Sequence, residues 1–242
     1  LTKGKRATAV PLVPCFHCED CQKGNFSLCK HYSFIGSRVN GAFAEYVCVS
    51  ARNVVEFDDS VSFELGAMFE PSTVALHGIY LNDFHGGEDV AVFGYGTIGY
   101  FTAQWAKILG AKTVTVFDIS EERLHLAKEA GADFCINTLD DGFEEEALRL
   151  TGGRGFGYVF ETAGNEITMK LSFALAANKA RVCFIGTPTK EVTFTRQQME
   201  MINRKEFLLT GSWMSYSAPF PGKEWTMTAE YFGKGILKFH DA

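Results

Sequence analysis

The 242-residue sequence has no uninterrupted apolar run as long as a bilayer requires and no secretion pattern at its start. A helical membrane anchor is therefore not expected, and a soluble, cytoplasmic protein is. A basic surplus is missing too. Lys and Arg number 23 against 29 Asp and Glu, a net charge of −6, which argues against a nucleic-acid surface because phosphate backbones need a concentrated basic face. No internal repeat or low-complexity linker interrupts the chain, and there is no initiator Met. Residues 1–10 read like the middle of a folded unit, and residues 235–242 stop with their pattern unresolved, so the expectation is an internal fragment. What is present can bury a full core. Seven cysteines, four of them crowded between Cys15 and Cys29, read as metal thiolates in a reducing compartment rather than as a disulfide set.

The organising stretch is residues 90–99, Val-Ala-Val-Phe-Gly-Tyr-Gly-Thr-Ile-Gly. A short β-prone run leads into Gly94-x-Gly96-x-x-Gly99 and then into a helix on which Ile98, Phe101, Trp105, Ile108 and Leu109 recur at helical spacing. Gly94 permits a sharp turn, Gly96 lets backbone approach a pyrophosphate, and Gly99 lets the helix lie close on the strand. The helix start at Thr97 and Ile98 then faces the anion. Glycine turns precede many helices, but here a second strand, 113–117, ends at Asp118, about 20 residues beyond the motif, as a dinucleotide site requires. Asp118 can accept hydrogen bonds from both ribose hydroxyls and would repel a 2′-phosphate, which favours NAD over NADP. Arg123 is the one nearby cation and is alternatively an exposed helix charge.

From Gly87 onward strands and helices alternate, the mark of a parallel sheet covered on both faces, hence an α/β, Rossmann-type doubly wound fold. Strands are predicted at 90–93, 113–117, 134–137, 157–161, 180–185 and 207–211, and helices at 98–109, 121–130, 143–151, 168–177 and 195–203. Thr162-Ala163-Gly164 and Gly186-Thr187 fall at strand carboxyl ends, where nucleotide ligands collect, and Thr162 and Gly186 are read as cofactor contacts, with ordinary turns as the alternative. Residues 1–82 are richer in short strands and turns. Strands are predicted at 7–13, 41–49 and 53–57, with a helix beginning at 62–66 and continuing through Leu76. Cys48, Cys135 and Cys183 are read as packing residues.

Cys15-x-x-Cys18-x-x-Cys21 followed by Cys29 offers four thiolates, a closed tetrahedral shell that suits a structural zinc. An iron–sulfur cluster uses a similar run, but the Cys-Pro that follows it in ferredoxins is absent. A zinc ribbon for nucleic acid is opposed by the acidic composition. Taken alone, Glu70 is an ordinary acid before Pro71.

A four-cysteine lobe upstream of a glycine-rich NAD fold, with Phe-Glu70-Pro71-Ser-Thr-Val-Ala-Leu-His77 between them, resembles the zinc-dependent medium-chain dehydrogenases. Residues 14–24 (Pro-Cys-Phe-His-Cys-Glu-Asp-Cys-Gln-Lys-Gly), 34–38 (Phe-Ile-Gly-Ser-Arg) and 211–225 (Gly-Ser-Trp-Met-Ser-Tyr-Ser-Ala-Pro-Phe-Pro-Gly-Lys-Glu-Trp) are similar to the polyol branch of that superfamily. The resemblance implies part of a mainly β, GroES-like catalytic domain at 1–82, the dinucleotide domain at 83–214, and a return toward the catalytic domain at 215–242. It implies structural zinc on Cys15, Cys18, Cys21 and Cys29, and a second, catalytic zinc that Glu70 approaches or ligates; the other catalytic ligands, a cysteine and a His-Glu pair, would precede Leu1. His77 is read as a packing histidine. The implied activity is hydride transfer from a polyol phosphate to NAD, in a homo-oligomer (dimer or tetramer) paired through the strand at 207–211. Sorbitol- or threonine-type chemistry, and a non-catalytic NAD- and zinc-binding module, are the alternatives. Arg38, Lys223, Ser215 and Ser217 are the candidates for a substrate phosphate.

Overall fold

The computed structural model describes residues 3–239, which form two compact units, one built from residues up to Thr73 and from Trp213 onward, the other from Val74 to Ser212. Among the described residues no helix is long and apolar enough to cross a membrane.

In the first unit the run predicted as one strand at 7–13 is two. Pro11 has no N–H to give a ladder, so β1 (Ala7–Ala9) and β2 (Leu12–Val13) flank it and take different partners. A short helix, α1 (Glu19–Gln22), and the strand β3 (Ser33–Phe34) follow, then β4 (Val54–Glu56). β1 pairs antiparallel with β4, and β2 with β3. Buried Asn53 stitches the break, its Nδ2 donating to the carbonyls of Val10 and Leu12 at 2.8 and 2.6 Å. The strand predicted at 41–49 does not form. A strand needs a partner for every second N–H and C=O. No strand among the described residues pairs with this segment, and Phe43 and Tyr46 stand fully exposed on it. Cys48 is likewise exposed, against its predicted packing role. Two helices follow, α2 (Phe63–Ala67), capped by the Ser62 hydroxyl at 3.1 Å from Leu65 N, and α3 (Phe69–Leu81), whose Pro71 falls in the first turn where its missing N–H costs little.

The second unit is a six-stranded sheet of β5 (Asp89–Phe93), β6 (Thr113–Asp118), β7 (Phe134–Asn137), β8 (Phe156–Glu161), β9 (Ala176–Phe184) and β10 (Leu208–Gly211), every pair parallel, in the order β10-β9-β8-β5-β6-β7. Between the strands run α4 (Thr97–Ile108), α5 (Glu121–Glu129), α6 (Phe143–Leu150), α7 (Glu166–Leu175) and α8 (Arg196–Lys205), all close to their predicted ranges. Three of the starts are marked by a side chain: Ser120, Asn165 and Thr195 cap α5, α7 and α8, the last in a reciprocal capping box with Gln198. The core is aromatic. Phe173 of α7 lies 5.0–5.8 Å, centroid to centroid, from Phe184, Phe194 and Phe207, while Phe93 stacks on Phe117 across neighbouring strands at 4.6 Å. Cys183 is buried and Cys135 half-buried, in agreement with their packing reading. In the first unit a last helix, α9 (Lys223–Gly233), was not legible in the sequence.

The order of strands sets where a ligand can go. The chain runs outward from β5 through β6 and β7, returns to lay β8 against the other side of β5, and runs outward again through β9 and β10. The strand order reverses between β5 and β8, and in open parallel sheets ligands bind at the carboxyl ends of the strands on either side of such a reversal.

Candidate functional site

In the first unit the Sγ atoms of Cys15, Cys18, Cys21 and Cys29 all lie within 4.8 Å of one another, and the Cys15–Cys21 and Cys18–Cys29 pairs are each 3.9 Å apart. A tetrahedral zinc with Zn–S bonds of about 2.3 Å has S···S edges of about 3.8 Å. Those two pairs match an edge of such a shell, and the four sulfurs together could hold the ion. No two are bonded as a disulfide. Phe16, at φ 60°, curls the chain so that the Cys18 N–H points at Cys15 Sγ (3.3 Å), and the Cys15 N–H points at Cys29 Sγ (3.4 Å). Such N–H···S bonds fix sulfur positions and stabilise thiolates. The hydrogen bond from the His17 backbone is the main influence bringing the Cys15 thiol down to about 6, whereas burial pushes Cys21 up to about 12.

The lobe grips the segment before α9. Ser27 Oγ accepts the Tyr216 N–H at 3.1 Å, and a Cβ on Gly24 would lie 2.7 Å from Ala218 Cβ. Phe16 meets Phe26 and Phe220 edge-on, Phe220 stacks on Tyr216, and Tyr216 stacks on Trp225. Glu70, half-buried in the first turn of α3, reaches this same neighbourhood: burial lifts its carboxyl above the ordinary range, and its charge adds to the burial that raises the Tyr216 hydroxyl. Thr73 Oγ1 donates to the Glu70 carbonyl and lies 2.8 Å from Ser215 Oγ. Among the described residues the cysteines are the only group of three or more His, Cys, Asp or Glu placed to share a metal, and Glu70 stands outside it. Of the phosphate candidates, Ser215, Ser217 and Lys223 fall on one stretch of chain at the start of α9, and Arg38 lies in the loop after β3. The Arg38 guanidinium lies over the Tyr32 ring and donates to the Tyr32 carbonyl, Ser217 donates to Glu224, and Lys223 opens α9. His77 is buried on α3.

In the second unit β5 ends at Phe93, and Gly94 turns the chain at φ 85°. A Cβ on Gly99 would lie 1.9 Å from the Gly94 carbonyl oxygen, so helix and turn can meet only if this residue is glycine. A Cβ on Gly96 would meet nothing within 4 Å: the space above it is open. Gly96 also caps α4 without a side chain, which leaves the first-turn N–H groups at Thr97, Ile98 and Gly99 free of any side-chain cap and the helix dipole directed at that space. Asp118 ends β6 beside the turn. Its Oδ2 accepts the Tyr95 N–H at 2.6 Å, its Oδ1 accepts those of Ile119 and Ser120 at 2.8 and 3.0 Å, and Arg123 Nη1 stands 3.8 Å from Oδ2. A carboxylate offers about four lone-pair directions, and the three amides leave room for a ribose hydroxyl. Gly94, Gly96, Thr97, Ile98, Gly99, Asp118 and Arg123 are thus brought to one edge.

Thr162 and Gly186 reach the same edge with different work. The Thr162 hydroxyl turns inward and donates to the carbonyls of Phe93 and Gly94, bracing the glycine turn. Gly186 is pressed against Gly164. Sequence reasoning passed over Glu161, a carboxylate ending an otherwise uncharged buried strand; that lone charge was the available signal. Elsewhere a cavity of about 740 Å³ opens beside Gly155, Gly157 and Arg181, but its Lys205 ammonium is committed to the carbonyls of Phe173, Ala174 and Ala176.

Comparison with known proteins agrees with this geometry. The family model for zinc-binding dehydrogenases matches residues 97–229, more than half of the chain, and that for the alcohol dehydrogenase GroES-like domain matches residues 1–59. The chain belongs to the zinc-binding dehydrogenases. Within this family it is 40% identical over 225 residues to galactitol 1-phosphate 5-dehydrogenase of Escherichia coli (strain K12), covering 93% of this chain and 65% of that protein. The chain therefore spans just under two thirds of the length of this dehydrogenase. The crystal structure of galactitol-1-phosphate dehydrogenase from Escherichia coli superposes with a TM-score of 0.92 at 39% identity, over 98% of this chain and 69% of that one. A zinc-binding dehydrogenase of Sinorhizobium meliloti 1021, bound to NADP, superposes with a TM-score of 0.88 at 29% identity, over 99% of this chain and 68% of that one.

Proposed function

We propose that the full-length protein is a zinc-dependent dehydrogenase that removes hydride from a secondary alcohol of a polyol phosphate resembling galactitol 1-phosphate and delivers it to NAD. The observation that carries this reading is the uncapped start of α4 facing open space, with the Asp118 carboxylate beside it. In this reading the N–H groups of Thr97, Ile98 and Gly99 hold the pyrophosphate, Asp118 accepts from the adenosine ribose, and Thr162 and Gly186 shape the surface for the rest of the dinucleotide. Cys15, Cys18, Cys21 and Cys29 hold the structural zinc. Glu70 contributes one oxygen to the catalytic zinc, which when bound supplies Lewis acidity that lowers the pKa of a substrate hydroxyl. Asp118 sets the preference for NAD, and Arg123 alongside it is the residue that would favour NADP.

The substrate assignment rests on the likeness of the chain, including residues 211–225, to galactitol 1-phosphate 5-dehydrogenase. It is tested by reduction of NAD by the full-length protein on galactitol 1-phosphate, galactitol, sorbitol and L-threonine. Turnover at least about tenfold higher in kcat/KM on the phosphate is expected, since a lost charged hydrogen-bonding group costs on the order of 1.5–3 kcal/mol. Equal turnover of galactitol and its phosphate would overturn the phosphate, and no turnover on any of the four would favour a binding module. We place the protein in the cytoplasm as a dimer or tetramer paired through β10, an edge strand with Leu208 and Leu209 exposed. Light scattering giving a monomer would remove that pairing.

A further inference from the structure

Glu161 closes β8 at the point where the strand order reverses, and its side chain is fully buried. Oε1 accepts three hydrogen bonds, from the N–H groups of Ala163 (2.9 Å) and Gly164 (2.8 Å) and from Thr168 Oγ1 (2.7 Å). Oε2 is buried with no hydrogen-bond partner. An orphaned buried oxygen costs about 1–3 kcal/mol, so something at this position requires a carboxylate or its isostere rather than an apolar side chain.

That requirement is visible in the two turns around it. The Glu161 carbonyl accepts the N–H groups of Ile185 (2.8 Å) and Gly186 (2.9 Å), so the same residue holds the turn after β8 through its side chain and the turn after β9 through its backbone. The turns themselves are locked glycine to glycine. A Cβ on Gly186 would lie 2.3 Å from Gly164 N and 2.9 Å from Glu161 Oε2, and one on Gly164 would lie 2.6 Å from the Thr187 carbonyl oxygen. Residues 162–164 and 186–187 therefore form a single rigid surface that rests on Glu161. The glycine turn and Asp118 take the pyrophosphate and the adenosine from the β5–β6 side. The second half of a dinucleotide must then lie across the switch point, over β8 and β9.

We propose that Glu161 is a positioning residue for the nicotinamide half of the dinucleotide, fixing these two turns as the surface against which the ring lies. This rests on the dinucleotide reading above, and the experiment separates the two. In the full-length protein the dissociation constants of NADH and of ADP-ribose, which keeps the adenosine, the pyrophosphate and the second ribose but lacks nicotinamide, are measured for the wild type, Glu161→Ala and Glu161→Gln. Glu161→Ala is expected to bind NADH about tenfold more weakly and ADP-ribose within about twofold of wild type, because only the ordering of the nicotinamide surface is lost. Glu161→Gln keeps an oxygen for the three donors and is expected within about twofold of wild type for both ligands. Unchanged NADH binding in Glu161→Ala, equal weakening of both ligands, or a Gln variant as weak as the Ala variant would overturn the assignment. A wild type that binds neither ligand would overturn the dinucleotide reading itself.

Discussion

Asp118 and Glu161 are carboxylates buried at the same edge of one sheet in unlike surroundings. Both oxygens of Asp118 are met by backbone N–H groups, whereas Glu161 gathers all its donors on one oxygen and leaves the other bare. Burial is the dominant influence on Glu161 and lifts its carboxyl above the ordinary value of 4.5 in the folded protein, against the pull of the Thr168 hydroxyl and the backbone N–H groups of Gly164, Ala163 and Asn165. A group whose folded value lies above its unfolded one contributes stability that is complete below the unfolded value and is lost as pH rises through the folded one. Glu161→Gln has no such dependence. Its melting temperature relative to wild type should rise as pH increases from about 4.5 upward, and a difference that stays constant with pH would contradict this account. The place of Asp118 beside the glycine turn was legible in the sequence because it depends on spacing from the third glycine. Glu161 was not, because whether an acid at a strand end is buried and orphaned depends on how two distant turns pack above it. The direction of the Thr162 hydroxyl was hidden for a similar reason: position along the chain places the residue at the edge, but only backbone geometry shows that the hydroxyl faces the glycine turn.

Among the elements, the cysteine lobe does more than close on itself. Phe16, held between Cys15 and Cys18, packs on Phe220, and through it the stack reaches Tyr216 and Trp225 in the segment beside Glu70. Zinc binding to structural sites of this kind is coupled to folding by about 10 kcal/mol or more in isolated fingers, so loss of one ligand should release both the metal and the order of that stack. Cys15→Ser is expected to retain about one zinc fewer per chain than wild type by elemental analysis and to lose near-ultraviolet circular dichroism from Tyr216 and Trp225. Loss of zinc with an unchanged aromatic signal would sever the proposed link. The four-cysteine spacing made the lobe readable, and alternation of strand and helix made the parallel sheet readable from β5 to β10. The first unit was harder. Pro11 divides a run that looks continuous, the segment 41–49 carries strand-forming residues with no strand paired to it among the described residues, and α9 lacks a side-chain cap to announce it.

For the molecule as a whole, the strand order β10-β9-β8-β5-β6-β7 is the fact from which the rest follows. In the proposed reading it separates an adenosine side, marked by Asp118, from a nicotinamide side, supported by Glu161, with the uncapped helix start between them. Membership of the zinc-binding dehydrogenases is consistent with that division, and the reading as an NAD enzyme depends on it. The most direct measurement is a calorimetric titration of the full-length protein and of its Asp118→Ala variant with NADH and with NADPH. The account predicts one NADH per chain, bound at least about tenfold more tightly than NADPH by the wild type, and a preference reduced to within about twofold in Asp118→Ala, where Arg123 is left without its carboxylate. Absence of saturable binding, or a preference that survives loss of the Asp118 carboxylate, would contradict it.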